Sequence, residues 1–153
     1  MSDLKKKLSW LIIPFPVVIG FLISWVSGSM NQIDFKSPPL SPPQWVFPIV
    51  WTVLYLMMGI SAYLVYKKDD YKINDSLKYF FYQLLVNFVW PIIFFRFEMF
   101  ATAAITLAIL ILLTVATICE FKKISKTAAW LMVPYLLWLC FALYLNIGVA
   151  VLN

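Results

Sequence analysis

The sequence contains no histidine. That absence removes the commonest general base and the commonest ligand to haem iron and to zinc. Charge is scarce too: Asp, Glu, Lys and Arg make up 12% of the 153 residues, against roughly a quarter in soluble domains. The acids are Asp3, Asp34, Asp69, Asp70, Asp75, Glu98 and Glu120, and none stands at the centre of an apolar run. Paired-carboxylate catalysis, a Ser–His–Asp set, a metal-ligand spacing and a buried proton relay are all missing. No metal and no cofactor is expected. The two cysteines, Cys119 and Cys140, fall inside apolar runs and read as small buried hydrophobes rather than as a disulfide.

What is abundant is apolar surface, at 63% of residues, with 18% aromatic. A chain of this length cannot hide so much in a core of its own, so most of it must face lipid. Five apolar segments can be drawn, at about 9–29, 44–66, 79–95, 99–119 and 127–152. Each approaches the roughly 20 residues that a helix needs to cross about 30 Å of hydrocarbon. They are continuous runs rather than alternating ten-residue strands, which excludes a barrel. The expected fold is all-α: one integral membrane domain over 1–153, built as a five-transmembrane-helix bundle. Lys5, Lys6 and Lys7 precede the first segment as they would in a signal peptide. Its apolar run, however, exceeds the usual length of roughly 7–15 residues, and Trp10 and Trp25 stand near its ends as interface anchors.

The net charge of +5 is a topology signal rather than a nucleic-acid footprint, because the cations lie in short clusters between apolar runs. With five spans, Lys5, Lys6, Lys7, Lys67, Lys68, Lys72, Lys78, Lys122, Lys123 and Lys126 share one side, and only Lys36 and Arg96 lie on the other. The expected orientation therefore has a cytoplasmic N-terminus and an outside C-terminus, in a bacterial inner membrane. The connection 30–43 on the poorly charged side holds Pro38, Pro39, Pro42 and Pro43. A segment of this composition is stiff and extended, and reads either as a plain linker or as a lid over the bundle mouth.

Aromatic and polar residues recur at helical spacing. Trp51, Tyr55 and Gly59 follow one another every four residues, two large rings and then a gap, suited to a flat ligand or to a close helix neighbour. Gln83, Asn87, Trp90 and Phe94 share a face of the third segment. Asn87 falls close to mid-membrane and must point inward, either for an interhelical hydrogen bond or to orient a ligand. Pro91 should free the carbonyl one turn earlier. Trp138, Ala142, Leu145 and Asn146 form a stripe on the fifth segment, with Ala142 leaving space beside the Trp138 ring. Small residues at Gly20, Ser24 and Gly28, and at Ala104 and Ala108, suit close helix contact within one bundle or between two chains.

These residues carry a resemblance. Pro42-Pro43-x-Trp45-x-Phe47-x-x-x-Trp51-x-x-Leu54-Tyr55-x-x-Met58-Gly59, Gln83-Leu84-x-x-Asn87-x-x-Trp90 with Pro91 and Phe94-Phe95, and Pro134-Tyr135-Leu136-x-Trp138-x-x-Phe141-Ala142-x-x-Leu145-Asn146 resemble the second-, third- and fifth-helix signatures of the translocator protein (tryptophan-rich sensory protein) family. The resemblance implies a five-helix bundle, a homodimer, and a cavity facing the proline-rich loop. It implies binding of porphyrins such as protoporphyrin IX and of benzodiazepine-site ligands, with Trp51, Asn87, Trp90, Trp138 and Ala142 at pocket positions. The cholesterol motif of animal members is not matched, because no Lys or Arg follows Tyr144. The expected ligand site is Trp51, Tyr55, Asn87, Trp90, Phe94, Trp138 and Ala142, for a metal-free porphyrin or another planar lipophile. Trp51 and Trp138 are the candidate catalytic residues for light-driven oxidation of the bound porphyrin. Transport of a lipophile and ligand-responsive sensing are the alternatives.

Overall fold

A computed structural model of the protein describes residues 2–31 and 34–153. Gln32 and Ile33 of the proline-rich loop lie outside the described residues. The chain forms α1 (Ser2–Leu8), a 3-10 turn (Ser9–Ile12), α2 (Phe15–Ser27), α3 (Val46–Lys68), α4 (Asp75–Pro91), a π turn (Ile92–Arg96), α5 (Phe100–Ile124) and α6 (Lys126–Leu152). Among the described residues there is no strand.

By length and apolarity α3, α4 with its π turn, α5 and α6 can each cross a membrane, and α1 and α2 make a fifth span if the bent pair counts as one. The first apolar segment, expected as one helix over 9–29, is broken: the part up to Ile12 and α2 meet at 44°. Pro14 and Pro16 explain the break. A proline has no N–H to give and its ring crowds the preceding turn, yet it is well tolerated at a helix start, where Pro16 stands. At the far end Gly28 takes the left-handed conformation (φ 79°) and stops α2.

Local chemistry sets the other ends. Asn74 caps α4 by accepting from the Leu77 N–H at 2.9 Å, and Ser125 caps α6 by accepting from Ala128 at 3.2 Å. Lys67 and Lys68 finish α3, and Lys122 and Lys123 finish α5, where cations answer the helix dipole. The fourth helix therefore runs to Ile124, beyond the apolar run expected at 99–119, because the charged segment after Cys119 continues it. Pro91 ends α4 and opens the π turn.

The helices close into a ring in the order α2, α3, α6, α5, α4, with α4 returning to α2. Its interior holds Leu54, Tyr55, Met58, Leu84, Phe88, Met132, Tyr135 and Leu139. Large apolar side chains cover the outside, Leu112 at 70% exposure and Leu137 at 65% among them, as expected of a surface solvated by lipid. Cys119 and Cys140 are exposed on this outer surface. That corrects their reading as buried residues: in a lipid-facing helix an apolar neighbourhood in sequence does not imply burial in the protein.

Two glycines permit close approach inside the ring. A methyl group on Gly20 would meet the Tyr55 ring, and one on Gly59 would overlap the backbone carbonyl of Ile13. Gly20 thus serves a contact within the bundle, and Gly28 serves as a helix stop. Substituting Gly59→Ala should force α3 away from the 3-10 turn, at a cost of about 1–3 kcal/mol. Thermal unfolding of the detergent-solubilised protein should show a lowered midpoint, and Gly59→Val a larger drop; an unchanged midpoint in both would contradict the contact.

Candidate ligand site at the seam of α3 and α6

The four-residue spacing of Phe47, Trp51 and Tyr55 carries one aromatic row along α3. The Trp51 ring lies 5.4 Å from Tyr55 and meets Tyr135 of α6 edge-on at 6.4 Å. Below it the polar groups form a relay. The Tyr55 hydroxyl donates to Asn87 Oδ1 at 2.5 Å, Asn87 Nδ2 donates to the Tyr135 hydroxyl at 2.9 Å, and that hydroxyl donates to Gln83 Oε1 at 2.8 Å. Gln83 Nε2 rests 3.8 Å from the sulfur of Met58. All of these residues are buried. Asn87 therefore supplies interhelical hydrogen bonds joining α4 to both α3 and α6, the first of the two roles open to it from sequence.

Trp138 occupies the other side of the seam. Its ring packs against Phe47 at 5.9 Å and Phe141 at 5.5 Å, with the buried Ala142 one turn on. Its indole Nε1 is buried without a hydrogen-bond partner, and among the described residues it is the one buried side-chain polar atom in that condition. Leaving such a donor unanswered costs about 1–3 kcal/mol. Phe47 touches Trp138 and stands one turn before Trp51 on α3. Neither Phe47 nor Tyr135 was among the site residues expected from sequence, although both lie in the aromatic rows. The signal for Tyr135 was its place one turn before Trp138.

Phe94 stands apart from this group, whereas Trp90 packs against the main core of the ring and against a second cluster as well. That second, aromatic cluster joins both to Phe35, Phe95 and Phe100. Trp90 stacks near Phe94 at 5.2 Å, and Phe35 meets Phe94 edge-on at 5.3 Å. Trp90 Nε1 donates to Asn146 Oδ1 at 2.9 Å, and Asn146 Nδ2 donates to the Phe100 carbonyl at 2.8 Å. The second membrane-embedded amide is satisfied in the same way as the first.

The proline-rich loop is strapped over this end of the bundle. Buried Pro38 occupies the space that a side chain at Gly148 would need. The Tyr144 hydroxyl donates to the Pro39 carbonyl at 2.7 Å. The Asn153 amide pairs with the Lys36 backbone in both directions, at 3.0 and 2.8 Å. Described residues of the loop thus lie along the final turns of α6, beyond Trp138.

Residues 12–152 match the sequence model of the TspO/MBR family. The chain belongs to the TspO/MBR family. Tryptophan-rich protein TspO of Chlorobaculum tepidum is 37% identical over 150 residues, covering 94% of each chain. A protein of the same name from Archaeoglobus fulgidus is 31% identical over 156 residues, covering 100% of this chain and 99% of its own. The human translocator protein is 34% identical over 132 residues, covering 84% of this chain and 75% of its own. Membership, together with the apolar helices, makes this an integral membrane protein of the TspO/MBR family.

The relay makes a direct prediction. Tyr135→Phe strands an Asn87 N–H and the Gln83 carbonyl oxygen in the core, at a cost of about 1–3 kcal/mol. Tyr144→Phe removes one exposed bond to the loop and should cost much less. Melting curves of the two variants in the same detergent should separate clearly; equal midpoints would contradict the relay's weight.

Proposed function

We propose that the protein is a receptor-like membrane protein that binds porphyrins, protoporphyrin IX above all, and other flat lipophilic ligands at the seam of α3 and α6. The observation that carries the reading is the unpartnered, buried indole N–H of Trp138 among stacked aromatic rings. Protoporphyrin IX brings what that place lacks: a broad π face for Trp51 and Trp138, and carboxylate or ring-nitrogen acceptors for the N–H. On this reading Tyr55 and Asn87 form a polar floor, Ala142 leaves room beside Trp138, and Trp90 and Phe94 wall the end beneath the loop. Release of the loop from Tyr144 and Asn153 admits the guest. A chain without histidine lacks the usual axial ligand for haem iron, which favours the metal-free ring.

The same contact supports a photochemical role. A light-excited porphyrin takes one electron from the indole of Trp51 or Trp138, tryptophan being the most easily oxidised aromatic side chain. The porphyrin radical anion passes that electron to dioxygen, which becomes superoxide; the indole radical cation then takes an electron back from the neutral porphyrin, and the resulting porphyrin radical cation combines with superoxide, which oxidises the ligand and restores the indole. The lysine-rich end faces the cytoplasm and the loop end faces outward, in the inner membrane, as the distribution of cations supports.

Spectral titration of the purified protein with protoporphyrin IX in darkness should give saturable binding. Trp138→Phe keeps a ring but loses the donor, and should weaken binding by about tenfold or more if the acceptor is a carboxylate. Under illumination the porphyrin should be lost, and more slowly in Trp51→Phe and Trp138→Phe. Equal loss in both variants would remove these side chains from the photochemistry, and absence of saturable binding would overturn the reading. For orientation, alkaline phosphatase fused after Asn153 should be active in cells and fused after Lys72 inactive; the reverse result would invert the topology.

A further inference from the structure

A separate cavity of about 450 Å³ opens at the lysine-rich end of the bundle, between the start of α4 and the end of α5. Asp75, Lys78, Tyr79 and Tyr82 line it from one face of α4, at i, i+3, i+4 and i+7, and Glu120 and Lys123 line it from α5. Buried Ser76 donates to the Glu120 carbonyl at 3.3 Å, which holds the two walls together. Each wall carries one cation and one anion, paired within its own helix: Lys78 with Asp75 at 3.5 Å, and Lys123 with Glu120 at 2.9 Å. Both pairs remain open to solvent, and such pairs contribute little and exchange partners readily.

Both helices are candidate spans, so the cavity stands where the bundle leaves the hydrocarbon. Exposed Tyr79 and Tyr82 mark that level, as tyrosines at an interface do. Further along the same helices toward mid-span the surface turns apolar, with exposed Leu85 and Val89 on α4 and Leu112 on α5. A polar cavity with balanced charge thus runs into a surface that acyl chains cover.

We propose that this groove binds one phospholipid whose headgroup carries a primary amine, of the phosphatidylethanolamine class. The phosphate accepts from Lys78 and Lys123, the ammonium donates to Asp75 and Glu120, and the tyrosine hydroxyls meet the ester level of the lipid. The acyl chains lie along Leu85, Val89 and Leu112. Charge complementarity selects the headgroup. An anionic lipid without an amine, such as phosphatidylglycerol, brings no cation for the two carboxylates. A choline headgroup brings a cation without N–H, which cannot make the charge-assisted hydrogen bonds that the carboxylates accept.

Native mass spectrometry of the full chain in detergent tests this, with phosphatidylethanolamine, phosphatidylcholine and phosphatidylglycerol of identical acyl chains. The amine lipid should bind about fivefold or more tighter than either competitor, the margin of one charge-assisted hydrogen bond. Asp75→Asn with Glu120→Gln should abolish the preference over phosphatidylcholine while lipid still binds, and Lys78→Gln with Lys123→Gln should weaken all three. Stepwise methylation of the amine, measured on the unmodified protein, should lower affinity at each step and decides the matter if a double variant does not fold. Equal affinity for the three headgroups, a preference for phosphatidylglycerol, or a preference unchanged in Asp75→Asn/Glu120→Gln would overturn the assignment.

Discussion

The relay from Tyr55 through Asn87 and Tyr135 to Gln83 joins α3, α4 and α6 in a medium that offers polar groups no other partner. Lipid tails are as apolar as leucine, so burying apolar surface between helices gains little there, and association rests on close packing and on interhelical hydrogen bonds. One amide placed near mid-span therefore has disproportionate influence on how three helices sit. Asn146 repeats the device nearer the loop end, taking the Trp90 indole and giving to the Phe100 carbonyl. The glycines act with these bonds: Gly20 lets the Tyr55 ring lie against α2, and Gly59 admits the Ile13 carbonyl.

Once these bonds are made, one buried side-chain polar atom among the described residues is left over. The polar atoms of Asn87, Asn146 and Trp90 have found protein partners, while the Trp138 indole nitrogen has not. In a core that otherwise satisfies its polar groups, an unanswered donor between aromatic rings is where a guest gains most by entering. The loop strapped along α6 by Tyr144 and Asn153 covers the same end. In the proposed reading the packed helices hold the site in place, and release of the loop admits the guest.

The sequence was most legible where one physical constraint acted alone. Continuous apolar runs reveal helices able to span a membrane because lipid leaves no other use for them. The helical spacing of Trp51 and Tyr55, and of Gln83 and Asn87, identified inward faces because the membrane forces a polar residue inward. Partnership was not legible. That Asn87 meets Tyr135 rather than Asn146 depends on the order of helices round the ring, which periodicity within one segment does not encode. For the same reason Phe94, on the face of Asn87, reaches a different cluster two turns further on, and Trp90 touches both. The break before Phe15 was signalled by Pro14 and Pro16, but hydropathy averaged it away. Exposure of Cys119 and Cys140 was hidden because an apolar run does not distinguish the lipid face from the protein face.

The most direct test of the central claim looks at the indole itself. With protein carrying nitrogen-15 in its tryptophans, the Trp138 Nε1–H resonance can be followed by NMR as protoporphyrin IX is added in the dark. The account requires that resonance to shift strongly as the guest enters, by hydrogen bonding and by the ring current of the macrocycle, while the resonance of Trp130, exposed on the outer surface, stays nearly still. A Trp138 resonance that remains in place while the porphyrin binds would contradict it.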